Sequence, residues 1–271
     1  MTEPVPSPAG IGLIIIGDEI LSGRRQDKHL AKVIEILTAR GLQLNWARYA
    51  GDDRPLITSC LRDAFSGGDL VFSCGGIGAT PDDHTRQCAA AALERPLALH
   101  PQARDLILER MREVALEQGL PYDPDRDDNR HRLNMGVFPE GAAIIPNPYN
   151  KIPGFSVGHV HFVPGFPVMA WPMIEWVLDT HYAALKGRSS VQERSVIVFG
   201  AMEASLTPLM EDIERRFAGV KVFSLPSVDH PQWGRHIDLG VKGQSDLAPA
   251  FQALKEGLQA LGAQLGPEMV R

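Results

Sequence analysis

The stretch Asp69–Gln87 constrains the fold of this chain more than any other. An apolar run, Leu70 to Phe72, leads into Gly75-Gly76-Ile77-Gly78, and then come Thr80, Pro81, Asp82 and Asp83. A short apolar run that stops at clustered glycines reads as a buried strand entering a tight turn. Glycine suits such a turn because it accepts positive φ and lets another molecule approach the backbone. The spacing then predicts a helix from Thr80 to Leu93, with Thr80 as N-cap, Pro81 at N1 and Asp83 at N3. Free N–H groups at a helix start favour an anion. Asp82 and Asp83 would repel a bare phosphate, so three arrangements stay open. A divalent metal bridges carboxylate and phosphate, or the carboxylates face the ring N–H donors of a pterin-like heterocycle. In the third, they only cap the helix and complement its dipole.

Ile11 to Ile16 is a continuous apolar run, the pattern of a strand buried on both faces of a parallel sheet. It ends at Gly17-Asp18-Glu19, which puts a second carboxylate pair at a strand's carboxyl end, where open α/β sheets bind ligands. Asp27 is placed to cap a helix from Lys28 to Arg40, and Gly41 to stop it. Leu42 to Ala50 reads as a strand with Gly51-Asp52-Asp53 as its exit loop, and Arg54 to Phe65 as a helix. Strand–helix alternation of this kind implies right-handed crossovers and a doubly wound sheet.

Further on, Pro101 to Gln118 is helical, and Arg130 and Arg132 are either phosphate partners or part of a solvated basic turn. Val137 to Asn147 gives a short strand and 152–163 a hairpin. His159 and His161 share a strand face without a third ligand, so they read as structural rather than as zinc ligands. Trp171 and Trp176 read as core on a helix from Val168 to Ala184. After a polar linker at 186–192 a βαββα series follows, closed by a strand near Gln264. That order suits a small ferredoxin-like or KH-like α+β module, with Asp246 capping its last helix.

The net charge of −6 argues against nucleic acid or an anionic membrane as partner. Cys60, Cys74 and Cys88 lack metal-ligand spacing and fit a reducing cytoplasm as buried small hydrophobes. The opening MTEPVPSPAG reads as a flexible lead without the features of a signal peptide, and no run is long enough to span a membrane.

Together, GDEILSG, GGIGATPDDHT, FPEGAAIIPNP and FVPGFP resemble the molybdopterin-binding (MoaB/MogA-like) fold family, and within it the amino-terminal part of the competence/damage-inducible protein A (CinA) family. The resemblance implies a three-layer, mostly parallel α/β domain over residues 11–185, after a lead at 1–10. A small ferredoxin/KH-like module at 193–271 follows. It implies a pterin or nucleotide phosphate bound at the strand ends, with Gly75, Gly76, Gly78, Thr80, Asn147, Pro153 and Gly154 as ligand-binding residues. Asp82 and Asp83 are the implied catalytic carboxylates. Asp18, Glu19 and Asp83 are the implied ligands of a divalent metal, Mg²⁺ being expected. It implies three alternative functions: molybdopterin binding in cofactor biosynthesis, alone or with adenylylation by MgATP; metal-dependent pyrophosphohydrolysis of ADP-ribose or dinucleotides; and non-catalytic regulation. The resemblance also implies a homo-oligomer, and no deamidase activity of the kind carried by a further module in longer relatives. The sequence departs from the family pattern at His29, Ala79, Asn150, Ile152 and Met169. Asn150 stands where the family has Gly and is expected to take the left-handed conformation. Met169 stands where the family has a polar or acidic residue.

Overall fold

The computed structural model describes residues 8–124, 126–187, 191–244 and 246–270, the Asp128 side chain excepted. Residues 1–7 of the expected lead and 188–190 of the expected linker lie outside the described residues. The chain forms two compact units, Met1–Lys186 and Gly187–Arg271.

The first unit begins with β1 (Ile11–Ile16), α1 (Asp18–Leu21), α2 (His29–Thr38), β2 (Trp46–Ala50), α3 (Arg54–Ser66) and β3 (Leu70–Cys74). It continues through α4 (Thr85–Leu93), β4 (Leu97–Leu99), α5 (Pro101–Glu117), α6 (Asp127–Leu133), β5 (Val137–Pro139) and β6 (Ala143–Ile145). Then come β7 (Gly154–Val157), β8 (Val160–Val163) and α7 (Pro167–His181). The main sheet runs β2-β1-β3-β8-β7-β6. β2, β1, β3 and β8 are parallel, and β7 and β6 complete the sheet antiparallel.

The apolar run of β1 follows from its place in the middle. Leu13 and Ile15 pack with α2 and α7 on one face, while Ile14 and Ile16 pack with α3 and α4 on the other. Successive strand residues point to opposite faces, so a strand between two helix layers must be apolar throughout. The result is the expected three-layer α/β unit. Asp27 caps α2, accepting from the His29 and Leu30 amides at 2.7 and 3.2 Å. Trp171 and Trp176 pack partly buried against the core. His161 bonds Ser156 Oγ and the Tyr182 hydroxyl at 2.7 and 3.0 Å, and His159 reaches the Ala64 carbonyl at 3.0 Å. All three cysteines are buried and free. Among the described residues no helix is long and apolar enough to cross a membrane.

Two local expectations are corrected. The helix expected from Thr80 begins at Thr85. The left-handed residue of the 147–152 loop is Lys151, with φ of 64°, and not Asn150. The Lys151 ammonium pairs with Glu109, at 2.6 Å, and Glu113 on α5.

The second unit holds β9 (Gln192–Phe199), α8 (Glu203–Arg216), β10 (Lys221–His230), β11 (Gly234–Gly243), α9 (Ala248–Ala260) and β12 (Gln264–Val270). Its antiparallel sheet runs β10-β11-β9-β12, the split βαβ order of a ferredoxin-like module. Val196, Val198, Ile237 and Leu239 on the sheet pack with Leu206, Ile213, Phe251 and Leu254 on α8 and α9 to form its own core. Asp246 accepts from the Ala248 amide at 3.0 Å and caps α9 as expected.

Candidate functional site

The carboxyl ends of β1, β2, β3 and β8 open on one cleft of about 430 Å³. Four pieces of chain form its rim.

The glycine turn after β3 is the innermost. Gly75 and Gly76 have φ of 106° and 68°, conformations that favour glycine. A Cβ on Gly75 would stand 2.3 Å from the Ile16 carbonyl oxygen, so the exits of β1 and β3 touch here. Thr85 ties α4 back to this turn: its amide donates to the Gly76 carbonyl and its hydroxyl to the Gly75 carbonyl, both at 3.0 Å. That contact sets where α4 starts. Thr80 to Asp83 closes instead into a separate turn before the helix. Asp83 N–H donates to the Thr80 carbonyl at 3.0 Å, and Thr80 N–H donates to Asp83 Oδ2 at 2.8 Å. The Thr80 hydroxyl donates to the same carboxylate oxygen. Only half of a capping box forms, the bond from Thr80 N–H to the Asp83 carboxylate, and it forms inside a turn, because the Asp83 amide meets the Thr80 carbonyl and not its hydroxyl. The first amide of α4 is consumed, so it offers nothing to an anion in this cleft. The amides of Gly76, Ile77, Gly78 and Ala79 make no hydrogen bond to another described residue.

The β1 and β2 exits supply the second piece. Asp18 N–H donates to Asp52 Oδ2 at 3.0 Å, and Asp52 N–H donates to Asp18 Oδ1 at 3.1 Å. This exchange staples the two loops. It turns Asp18 away from the cleft, whereas Asp52 and Glu19 line it. Burial pushes the Asp52 carboxyl up from its ordinary range. The nearby Asp18, Glu19 and Asp82 carboxylates add to the shift, and the Asp18 amide opposes it. Arg25 also lines the cleft, 3.8 Å from Glu19 and with its guanidinium 5.8 Å from the Phe166 ring centre.

The third piece is the loop after β6. Asn147 is buried, and its side-chain amide donates to Asn150 Oδ1 at 2.8 Å and to the Ile152 carbonyl at 2.9 Å. It lines the cleft with Pro153, but as the organiser of its own loop. Gly154 does not line it. A Cβ there would sit 2.3 Å from the Phe162 carbonyl oxygen, so this glycine serves packing between β7 and β8. The fourth piece is Gly165 and Phe166 after β8. His29 braces it from below, its Nε2 lying 3.0 Å from the Gly165 carbonyl oxygen. Met169 lines the cleft beside Gly165 and Phe166.

The cleft thus brings together Glu19, Gly75, Gly76, Gly78, Thr80, Asp82, Asp83, Asn147 and Pro153 of the expected site, and omits Asp18 and Gly154. Arg130 and Arg132, on α6, do not line it. Asp18, Glu19 and Asp83 do not gather as the expected metal triad. Among the described residues no three His, Cys, Asp or Glu side chains are placed to hold a metal. Asp18 is held by Asp52 and Asp83 by Thr80. The residues therefore do not fit a resident, protein-caged metal. Sequence reasoning missed Asp52 and Arg25. Asp52 had a usable signal: it follows a glycine at the end of a strand beside β1, the same pattern that drew attention to Asp18.

Residues 12–184 match the family model of a probable molybdopterin-binding domain, MoCF_biosynth. A CinA-like protein of Syntrophotalea carbinolica is 30% identical over 220 residues, covering 76% of this chain and 50% of that protein. A CinA-like protein of Anaeromyxobacter dehalogenans is 30% identical over 219 residues, covering 78% of this chain and 50% of that protein. The chain therefore spans about half the length of these relatives. The crystal structure of the protein CinA, of unknown function, from Thermoplasma acidophilum is 27% identical with a TM-score of 0.53. It covers 64% of this chain and 97% of that one. The chain belongs to the family of probable molybdopterin-binding domains, with a fold close to that of CinA.

Proposed function

We propose that the cleft binds a small heterocycle bearing phosphate, of the pterin class, with molybdopterin as the first ligand to test. One observation carries this reading. Backbone amides without a partner among the described residues, from Gly76 to Ala79, share a strand-end cleft with the Asp52 and Asp82 carboxylates. Amides suit phosphate oxygens, and carboxylates suit the N–H donors of an amino-pterin ring. A volume of about 430 Å³ lies within the usual range for small-molecule sites. Mg²⁺ brought in by the ligand would be held by one or two of these carboxylates together with the ligand's phosphate, its common mode, and would supply charge neutralisation. Asp52 and Asp82 orient the ring and the glycine turn holds the phosphate.

Calorimetric titration with molybdopterin is expected to show saturable binding that Asp52→Asn and Asp82→Asn weaken roughly tenfold each, the loss of one charge-assisted hydrogen bond. An absence of saturation at high micromolar ligand, with and without Mg²⁺, rejects the proposal.

The raised Asp52 carboxyl favours a second reading, metal-dependent hydrolysis of ADP-ribose or a dinucleotide with Asp52 orienting water. AMP release from ADP-ribose that disappears in Asp52→Asn supports it; release unchanged in that variant rejects it. The free, buried cysteines fit a cytoplasmic location, which we propose together with a homo-oligomeric state. Light scattering of the purified chain tests the latter.

A further inference from the structure

The Thr80–Asp83 turn is a wall with a cleft on each side. Ala79, Thr80 and Asp83 line both. The second cleft, of about 330 Å³, differs from the first in charge. The first holds Glu19, Asp52, Asp82 and Asp83 against Arg25. The second holds Arg54, Arg86 and His84, with Asp83 as its one carboxylate among the described residues.

Arg86 anchors this second cleft. It is only 4% exposed, yet among the described residues its guanidinium makes a single hydrogen bond, to the Ile77 carbonyl. No carboxylate of a described residue lies within ion-pair distance of it, and Asp83 is already held by Thr80. Burial lowers its pKa to about 10, with the Asp83 charge opposing, so it stays cationic at neutral pH. A guanidinium has five N–H donors, and a buried charge left without a counter-charge is costly. Arg54 lies nearby, its Nη2 3.1 Å from His84 Nδ1. The guanidinium donates there, which leaves the His84 proton on Nε2 as a further donor. The cleft also lies at the N-terminus of the nine-residue helix α4, where the amides of Arg86 and Gln87 have no partner among the described residues.

We propose that this second cleft is an oxyanion site that takes a phosphate group on Arg86, Arg54 and His84. Bidentate guanidinium recognition of phosphate is strong and geometrically selective. The bound anion supplies a directly bonded counter-charge, which no described residue gives Arg86. The first cleft sets four carboxylates against Arg25 and offers a free phosphate no comparable pair of guanidinium groups. The inference stands whether or not the first cleft takes a pterin.

The test is calorimetric and thermal-shift titration of the full chain with inorganic phosphate, at constant ionic strength made up with chloride. Saturation in the low millimolar range and a rising Tm are expected, with sulfate competing. Arg54→Gln, at an exposed position, is expected to weaken binding about tenfold, and Arg86→Lys to weaken it at least as much. Arg25→Gln, in the acidic cleft, leaves phosphate binding unchanged. Should Arg86→Lys fail to fold, Arg54→Gln and His84→Ala decide the matter. Binding that does not saturate by tens of millimolar overturns the proposal, as does binding lost in Arg25→Gln and kept in Arg54→Gln. Competition by ADP-ribose would identify the phosphate as part of a larger ligand that crosses the wall; independent binding would identify a free oxyanion. Both outcomes support the site.

Discussion

Burial pushes the His161 imidazole down to about 3, and the charges of His181 and His159 add to the shift. Its two ring nitrogens are occupied by Ser156 and Tyr182. A His whose folded pKa is depressed binds fewer protons when folded than when unfolded, over the window from about 6.5 down to about 3. Its stabilisation is therefore complete above pH 6.5 and is lost as the pH falls through that window. Denaturant titrations at stepped pH are expected to show this loss with a slope of up to about 1.4 kcal/mol per pH unit from this group. His161→Gln flattens that component and costs about 1–2 kcal/mol at neutral pH through the broken hydrogen bonds. An unchanged slope in the variant refutes the assignment. At this scale the sequence was partly legible. Asp82 and Glu19 lie where strand-end reasoning places them. Asp52 lines the cleft in place of Asp18, because a strand's end is visible in sequence while the direction of each loop's carboxylate depends on which amide it meets.

Among the elements, β1 and α4 show what sequence patterns can and cannot fix. The continuous apolar run of β1 has one stable place, between two helix layers, and it is found there. The start of α4 depends on a tertiary contact, Thr85 against Gly76, which no local signal carries. Thr80, Pro81 and Asp83 suit the opening of a helix and suit a closed turn equally, so the local pattern alone does not choose. The start of α3 is simpler: Asp53 accepts from the Leu56 amide at 2.8 Å, with Pro55 in the first turn. Asp53→Ala is expected to cost about 1 kcal/mol in urea unfolding, the usual value of an N-cap. Asp53→Asn is expected to recover most of it. Equal losses in the two variants would show that charge, and not the cap bond, matters there.

On the scale of the whole molecule, each unit encloses an apolar interior of its own. The ferredoxin-like unit, Gly187–Arg271, is accordingly expected to fold when expressed alone, with cooperative thermal unfolding and mixed helix–strand circular dichroism. A non-cooperative melt would refute this. The close approach of Gly75 to Ile16 has a consequence for how this protein can change over time. The floor of the cleft has no room for variation, whereas Ala79 lines the same space as an exposed side chain. A deep mutational scan selected for soluble protein is expected to reject every replacement at Gly75 and to accept most at Ala79. Diversification toward new ligands would then run through exposed rim positions such as Ala79, with the floor inherited unaltered.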